Sequence, residues 1–372
     1  MTGRPTADDE DDGFSPQAIW DADDGDDDLF DPLRLVDADV SPVAPPSTAT
    51  PDETRLWLEA EAGLARPLAE AVEAFARLDE RLRAWPPAQA QAGVARLALG
   101  QAAALLWAEG SAVSVERLAL WDSARIGAVA EEDEGMARAA WAARRLAARR
   151  WSLASPQALA RFEGRSPDHS RAEESRGLPG LSWRPFARAH GAVWMAMAED
   201  WALAVRRLRA AHPFTQAAFA ERAWRLHGLS EATAVVEPGV VAMKLAARAG
   251  RGGVPFAPLG RRRSPGGERP VEKLRGVYVD IAEGCREGLV VLERAQAWWT
   301  RAEAGVADLS GRTPRRLVGL LAERVAVSAP DAAAACDVSV SAALRNLALL
   351  AERGLAREVT GQGRFRMWAM AG

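Results

Sequence analysis

The C-terminal stretch from Thr313 onward constrains the fold more than any other part of the chain. Thr313-Pro-Arg-Arg-Leu-Val-Gly-Leu-Leu-Ala-Glu-Arg-Val325 places Leu317, Leu320, Leu321 and Val325 on one helical face, and Pro314 suits a first turn. Asp331 to Cys336 is rich in alanine and predicts a short helix slim enough to pack closely against a partner. Asp337-Val338 forms a turn, Ser339 is a good N-cap for a third helix, and Gly354 suits its left-handed C-cap. Along that third helix Val340, Leu344, Leu347 and Leu350 or Ala351 are expected to face inward, with Ser341, Ala342, Arg345 and Asn346 outward. Leu355-Ala-Arg-Glu-Val359 and Arg364-Phe-Arg-Met-Trp368 alternate as strands do, about Gly361-Gln-Gly363, a hairpin turn that demands positive φ. Three helices and a hairpin in this order describe a winged helix-turn-helix, which sets one helix in the DNA major groove and a β-ribbon beside it.

The charge of the segment fits that role. Residues 311–372 carry nine arginines against five acidic residues, and Arg364 and Arg366, two apart on a strand, share a face beside the wing. The outer face of the reading helix holds only Arg345 and Asn346 as strong base-edge partners, with Ser341 beside them. Gln362, Arg364 and Arg366 of the wing complete the expected DNA contacts. Affinity would lean on phosphate, with modest base discrimination. The alternative for the same shape is a winged domain used only for protein contacts.

At 372 residues the chain has room for two domains and a tail. No run approaches 18 uninterrupted apolar residues and no basic segment precedes an apolar one at the N-terminus, so neither a membrane span nor a signal peptide is expected. Cys285 and Cys336 lack metal-ligand spacing and read as small core residues. Lysine occurs only at 244 and 273, arginine supplies the other positive charges, and alanine abounds. That bias fits a bacterial genome of high GC content and a cytoplasmic, nucleoid-associated protein. The net charge of −4 conceals an asymmetry: residues 1–53 hold sixteen acidic residues against Arg4 and Arg34. Such a tail cannot bury enough apolar surface to fold and is expected to be disordered, serving solubility or competing for the basic DNA face.

Between a Pro/Ser/Thr linker at 42–51 and about Leu245 the pattern is helical. Leu64, Leu68, Ala71, Val72, Phe75, Leu78 and Leu82 form a stripe that Pro86-Pro87 ends. Further helices are expected over 93–107, with Ala102, Ala103, Leu106 and Trp107 as its recurring apolar positions, from Val115 behind the Ser114 cap, and over 135–151, 186–209, 213–226 and 238–249. Ala234-Val-Val236 is the best strand candidate. The single histidines His190 and His227 have no paired carboxylate at ligand spacing, His169 falls in a polar loop, and no metal site is expected.

Two segments here resemble the Fic family. Leu105-Leu-Trp-Ala-Glu-Gly-Ser-Ala-Val-Ser-Val-Glu-Arg-Leu118 looks like the segment in which a helix ends in Glu-Gly before a capped helix. Ala211-His-Pro-Phe-Thr-Gln-Ala-Ala-Phe-Ala-Glu-Arg222 looks like the signature His-Pro-Phe-x-Asp-Gly-Asn-Gly-Arg. Over residues 55–372 the motif order resembles an uncharacterised bacterial family that joins a Fic-like helical domain to a winged helix. The resemblance implies a histidine base, an acidic Mg²⁺ ligand and a small-residue cradle for nucleotide phosphates. His212, Pro213 and Phe214 remain, but Gln216 stands at the acidic position, and neutral amide oxygen is a poor ligand for so hard a cation. Ala217, Ala218 and Phe219 replace the cradle whose backbone N–H groups would reach the anion, and Ala220 replaces the arginine. Glu109 has thereby lost the arginine it pairs with in such enzymes. The site is expected to be catalytically inactive, with no cofactor; His212-Pro213 also reads simply as a helix start.

Residues 250–270 form a Gly/Pro/Arg stretch with Arg261-Arg-Arg263 at its centre, and from Lys244 to Arg275 nine basic residues face two acidic ones. This reads as a basic linker, either a phosphate-binding arm or a plain solvated loop. A long amphipathic helix follows over 271–309, with Leu274, Val277, Tyr278, Ile281, Cys285, Leu289 and Leu292 on its stripe, fit to bridge the domains or to form a dimer seam. The expected fold is mainly α: a Fic-like helical domain (54–249), the linker, the connecting helix, and a small α+β winged helix-turn-helix (310–372). The expected function is a regulator binding double-stranded DNA, as a homodimer with no membrane partner. The alternatives are a Fic-type AMP transferase with an altered cradle and a protein-interaction adaptor.

Overall fold

The computed structural model describes residues 51–122, 130–153, 155–165, 191–231, 233–260, 269–360 and 366–372, all of them within a compact unit spanning Pro45–Gly372. The acidic tail, His169, His190 and the arginine triplet 261–263 lie outside the described residues.

The helices are α1 (Pro51–Gly63), α2 (Ala65–Arg83), α3 (Pro87–Ala108), α4 (Val115–Asp122), α5 (Ala130–Ala147), α6 (Pro156–Glu163), α7 (Gly191–Arg207), α8 (Pro213–Leu226) and α9 (Val236–Ala246). After them come α10 (Pro270–Gly305), α11 (Thr313–Glu323), α12 (Ala329–Cys336) and α13 (Val340–Glu352). Three short strands, β1 (Val327–Ser328), β2 (Ala356–Glu358) and β3 (Met367–Met370), form an antiparallel sheet in the order β1-β3-β2. No single helix among the described residues is long and apolar enough to cross a membrane.

The expected stripe is buried, with Leu64, Ala71, Phe75, Leu78 and Leu82 all in the main core. That core combines many alanines, which let helix axes approach, with a few large rings that fill volume: Trp57, Trp194, Trp201, Phe214, Phe219 and Trp224. Buried indoles also need acceptors. Trp194 donates to Leu229 O at 3.2 Å, Trp201 to Ala220 O at 3.0 Å and Trp224 to Ser230 Oγ at 2.8 Å.

Three expectations are corrected here. Val236 opens helix α9 instead of ending a strand, because Glu109 caps this helix through Val235 N and Val236 N at 2.7 and 2.9 Å. Trp107, expected on the inward repeat of α3, is 59% exposed. The stretch after Gly250 is no solvated linker: residues 253–260 are buried, and Val254, Phe256, Ala257 and Leu259 belong to the main core. Its backbone is satisfied from far along the chain. Asp79 accepts from Arg251 N and Val254 N, each at 2.8 Å, and Gln101 Oε1 accepts from Leu259 N at 2.9 Å. This strap then lies across α10, where Gly260 N donates to Asp280 O at 2.7 Å.

Helix α10 bridges two cores. Leu274, Val277, Tyr278, Ile281, Cys285 and Leu292 belong to the main one. Trp298 and Ala302 belong to a second core built by α11, α12, α13 and the sheet.

Both lysines are drawn inward. Lys244 is fully buried, and its ammonium closes the end of α5 by donating to Leu146 O and Ala148 O, both at 2.7 Å. Burial first, and then the guanidinium groups of Arg145 and Arg149, lower its pKa from 10.5 to about 7. Between those two values the unfolded chain binds the extra proton, so folding stability rises with pH across that window, by at most about 1.4 kcal/mol per unit for one group. Below about pH 7 both states carry the proton and the contribution is flat. Urea midpoints of the wild type are therefore expected to rise from pH 7 to pH 9 more steeply than those of Lys244→Met; parallel profiles would refute this.

Candidate nucleic-acid interface

The second core is organised locally. Ser328 caps α12 by accepting from Asp331 N at 3.2 Å, while the Asp331 carboxylate accepts from Ser328 N at 3.3 Å, a reciprocal box. Asp337 closes α12 in the left-handed conformation at φ 56°, and Arg316 braces that turn by donating to Cys336 O at 2.9 Å. Ser339 caps α13 as expected, its hydroxyl accepting from Ala342 N at 3.2 Å. Helices α12 and α13 meet at 105°, within the roughly 90–120° of a helix-turn-helix pair. Gly354 ends α13 at φ 67°, and Leu355 N reaches back to Leu350 O at 2.8 Å.

Helix α13 is rotated from its expected setting. Ala343, Leu347 and Leu350 are buried, whereas Val340 and Leu344 are 45% and 36% exposed. The small Ala343 is the side chain that enters the second core. The open face thus presents Val340, Ser341, Leu344, Arg345 and Ala348, with Glu352 at its C-terminal end. Arg345 forms no ion pair among the described residues. Asn346 is half-buried and turns its amide back on its own helix, donating to Ala342 O at 2.8 Å.

The wing gains a strand that the sequence reading missed, since β1 is only two residues long. Val327 pairs with Trp368 and Ser328 with Met367, while Ala356, Arg357 and Glu358 face Met370, Ala369 and Trp368. Among the described residues the final strand runs Met367–Met370. Arg366 is exposed just before it, 3.6 Å from Glu358 Oε2. Gln362, Arg364 and the glycines of the expected hairpin turn lie outside the described residues.

The second candidate site surrounds His212. Its Nδ1 accepts from Phe214 N at 3.2 Å, making it the N-cap of α8, and burial lowers its pKa against the opposing pull of Glu61. Gln216 is buried with both ends of its amide engaged: Nε2 donates to Ala211 O at 2.7 Å and Oε1 accepts from Arg248 at 3.2 Å. Ala217, Ala218, Phe219 and Ala220 are all buried, and the Phe219 ring meets Trp57 edge-on at 5.3 Å. Arg222 and Arg225 lie 3.7 Å from Glu53 and 2.9 Å from Glu221. Glu109 lies 2.8 Å from Arg138. Among the described residues no cluster of three His, Cys, Asp or Glu side chains could hold a metal ion.

The tri-helical core with its small sheet defines a helix-turn-helix class of module. Comparison with known families agrees: residues 314–371 match the family described as HTH DNA binding domain. The chain matches none of the curated proteins. The C-terminus therefore carries a helix-turn-helix DNA-binding domain in a mostly helical chain. The Ser328–Asp331 box was readable, since Ser-x-x-Asp before an apolar run is a helix-start signal. Val340 and Leu344 were not, because the inward and outward stripes of α13 overlap in composition.

Proposed function

We propose that this protein is a DNA-binding regulator that contacts duplex DNA through α13 and the adjoining wing. The observation that carries the reading is the open, unpaired face of α13 around Arg345, in a segment matched to a helix-turn-helix DNA-binding family. Ser341 and Arg345 meet base edges, with Asn346 contributing only the part of its amide not committed to Ala342. Gln362, Arg364 and Arg366 contact phosphate from the wing, and Arg261, Arg262 and Arg263 add sequence-independent phosphate contacts. The helical domain is a Fic-like scaffold whose nucleotide cradle is filled by Phe219 and its alanine neighbours, and the active species is a homodimer on paired half-sites. Label transfer from ATP in the presence of Mg²⁺ that depends on His212 would overturn the inactive-scaffold part.

A gel-shift series on random duplex at rising salt tests the DNA reading. Arg345→Ala is expected to weaken binding to a selected duplex by about 10- to 100-fold, the span of one bidentate guanine contact. Its binding to random duplex at low salt should stay close to wild type. Arg366→Ala should instead weaken all duplexes alike and reduce the salt slope by about one. A full-length protein that ignores duplex even in dilute buffer would sink the proposal.

A further inference from the structure

The reading face of α13 carries large apolar side chains where a polar set was expected. Val340 and Leu344 are 45% and 36% exposed, one helical turn apart, and Ala348 continues the row. A turn advances about 5.4 Å along the helix axis, close to the rise of one to two base steps at about 3.4 Å each. Beside that row runs a second, Ser341 and Arg345. Along this face Arg345 is the only charged side chain until Glu352, exposed at the helix's C-terminal end.

We infer that Val340 and Leu344 read the C5-methyl groups of thymines that neighbour a guanine held by Arg345, so the target half-site is thymine-rich around a G·C pair. The thymine methyl is the one apolar group that the major groove displays, and aliphatic side chains recognise it by contact. Arginine favours guanine O6 and N7. The match of this segment to a helix-turn-helix DNA-binding family, with Arg345 at the centre of the face, favours a duplex as occupant over a second copy of the chain. This inference rests on the DNA-binding reading and adds to it the chemistry of the target.

The test selects duplexes from a random pool over the full-length protein. Each winner is then resynthesised with deoxyuridine for thymine at single positions, which deletes one methyl and leaves pairing intact. Burying one methyl corresponds to about fourfold in affinity, so two positions are expected to lose about fourfold each and about tenfold or more together. Leu344→Ser and Val340→Ser should each erase the thymine-over-uracil preference at one position, while random-duplex binding at low salt stays close to wild type. Equal binding of thymine and uracil duplexes by the wild type overturns the inference and leaves the DNA reading standing. If those two substitutions instead dissociate a dimer with no effect on the uracil comparison, the face belongs to a second copy. Failure to retain any duplex overturns the DNA reading itself.

Discussion

Gly284→Ala is expected to destabilise the protein by about 3 kcal/mol, the upper range for overpacking a filled core. The strap of residues 253–260 crosses α10 at this position. An added Cβ would stand 2.5 Å from Leu259 C, 2.7 Å from Pro258 O and 2.8 Å from Gly260 N. All three are backbone atoms, so no rotamer change relieves the contact. The strap itself is tethered on both sides, by Gln101 at Leu259 N and by Asp280 O at Gly260 N. Moving it to admit a methyl group would break those bonds and uncover Phe256 and Leu259. The same substitution at Gly100 or Gly319 supplies the contrast, because a Cβ there meets nothing within 4 Å. Both lie inside helices, where alanine is favoured over glycine by about 1 kcal/mol. Urea unfolding of the three variants checks the sign directly. A Gly284→Ala protein as stable as Gly100→Ala would show that the strap does not press on α10.

The strap also shows where sequence reading stops. Helices were legible because their apolar spacing is local: the α2 stripe, the Pro213 start of α8 and the Ser339 cap of α13 all need only a few residues to declare themselves. Residues 250–260 hold Gly, Pro and Arg and no repeat, so by composition they are a linker. What orders them is distant: the Asp79 carboxylate and the Gln101 amide, held on α2 and α3, supply acceptors that no local pattern announces. Val254, Phe256 and Leu259 were the only local hint. The rotation of α13 has a similar origin. A stripe of Val340, Leu344 and Leu347 is more apolar than one of Ala343, Leu347 and Leu350, yet the second is buried. Close approach between neighbouring helices favours the alanine, and that gain is absent from the helix's own sequence. Around His212 the local and the distant separate in the same way: the helix start at Pro213 is plain in the sequence, whereas the packing of the Phe219 ring against Trp57 is not.

Arg96→Ala is expected to cost about 3 kcal/mol, concentrated where the helical domain meets the helix-turn-helix. From α3 the Arg96 guanidinium reaches the end of α11, donating to Ala322 O at 2.6 Å, to Leu321 O at 3.0 Å and to Arg324 O at 3.3 Å. Carbonyls in a last turn lack helical partners, and the negative end of the helix dipole favours a cation there. Burial lowers the pKa of this guanidinium to about 10, so it stays charged at neutral pH. Truncation strands three acceptors at a partly buried junction; each such group costs about 1–3 kcal/mol unless water reaches it. A second pair linking these parts among the described residues, Arg357 with Glu116 at 3.1 Å, is about half exposed on both sides and is worth at most about 1 kcal/mol. It cannot replace Arg96. Lysine at position 96 should recover only part of the loss, since one ammonium cannot span the three carbonyls that a planar fork reaches. Hydrogen exchange resolves the effect by location. Amides of α11 and β3 are expected to exchange faster in Arg96→Ala, while those of α2 and α8 keep their protection. Because the open face of α13 carries none of these contacts, duplex affinity should change far less than stability. Uniform loss of protection through both cores would instead mean that Arg96 supports the whole fold, and an unchanged urea midpoint would mean that Arg96 does not hold the two cores together.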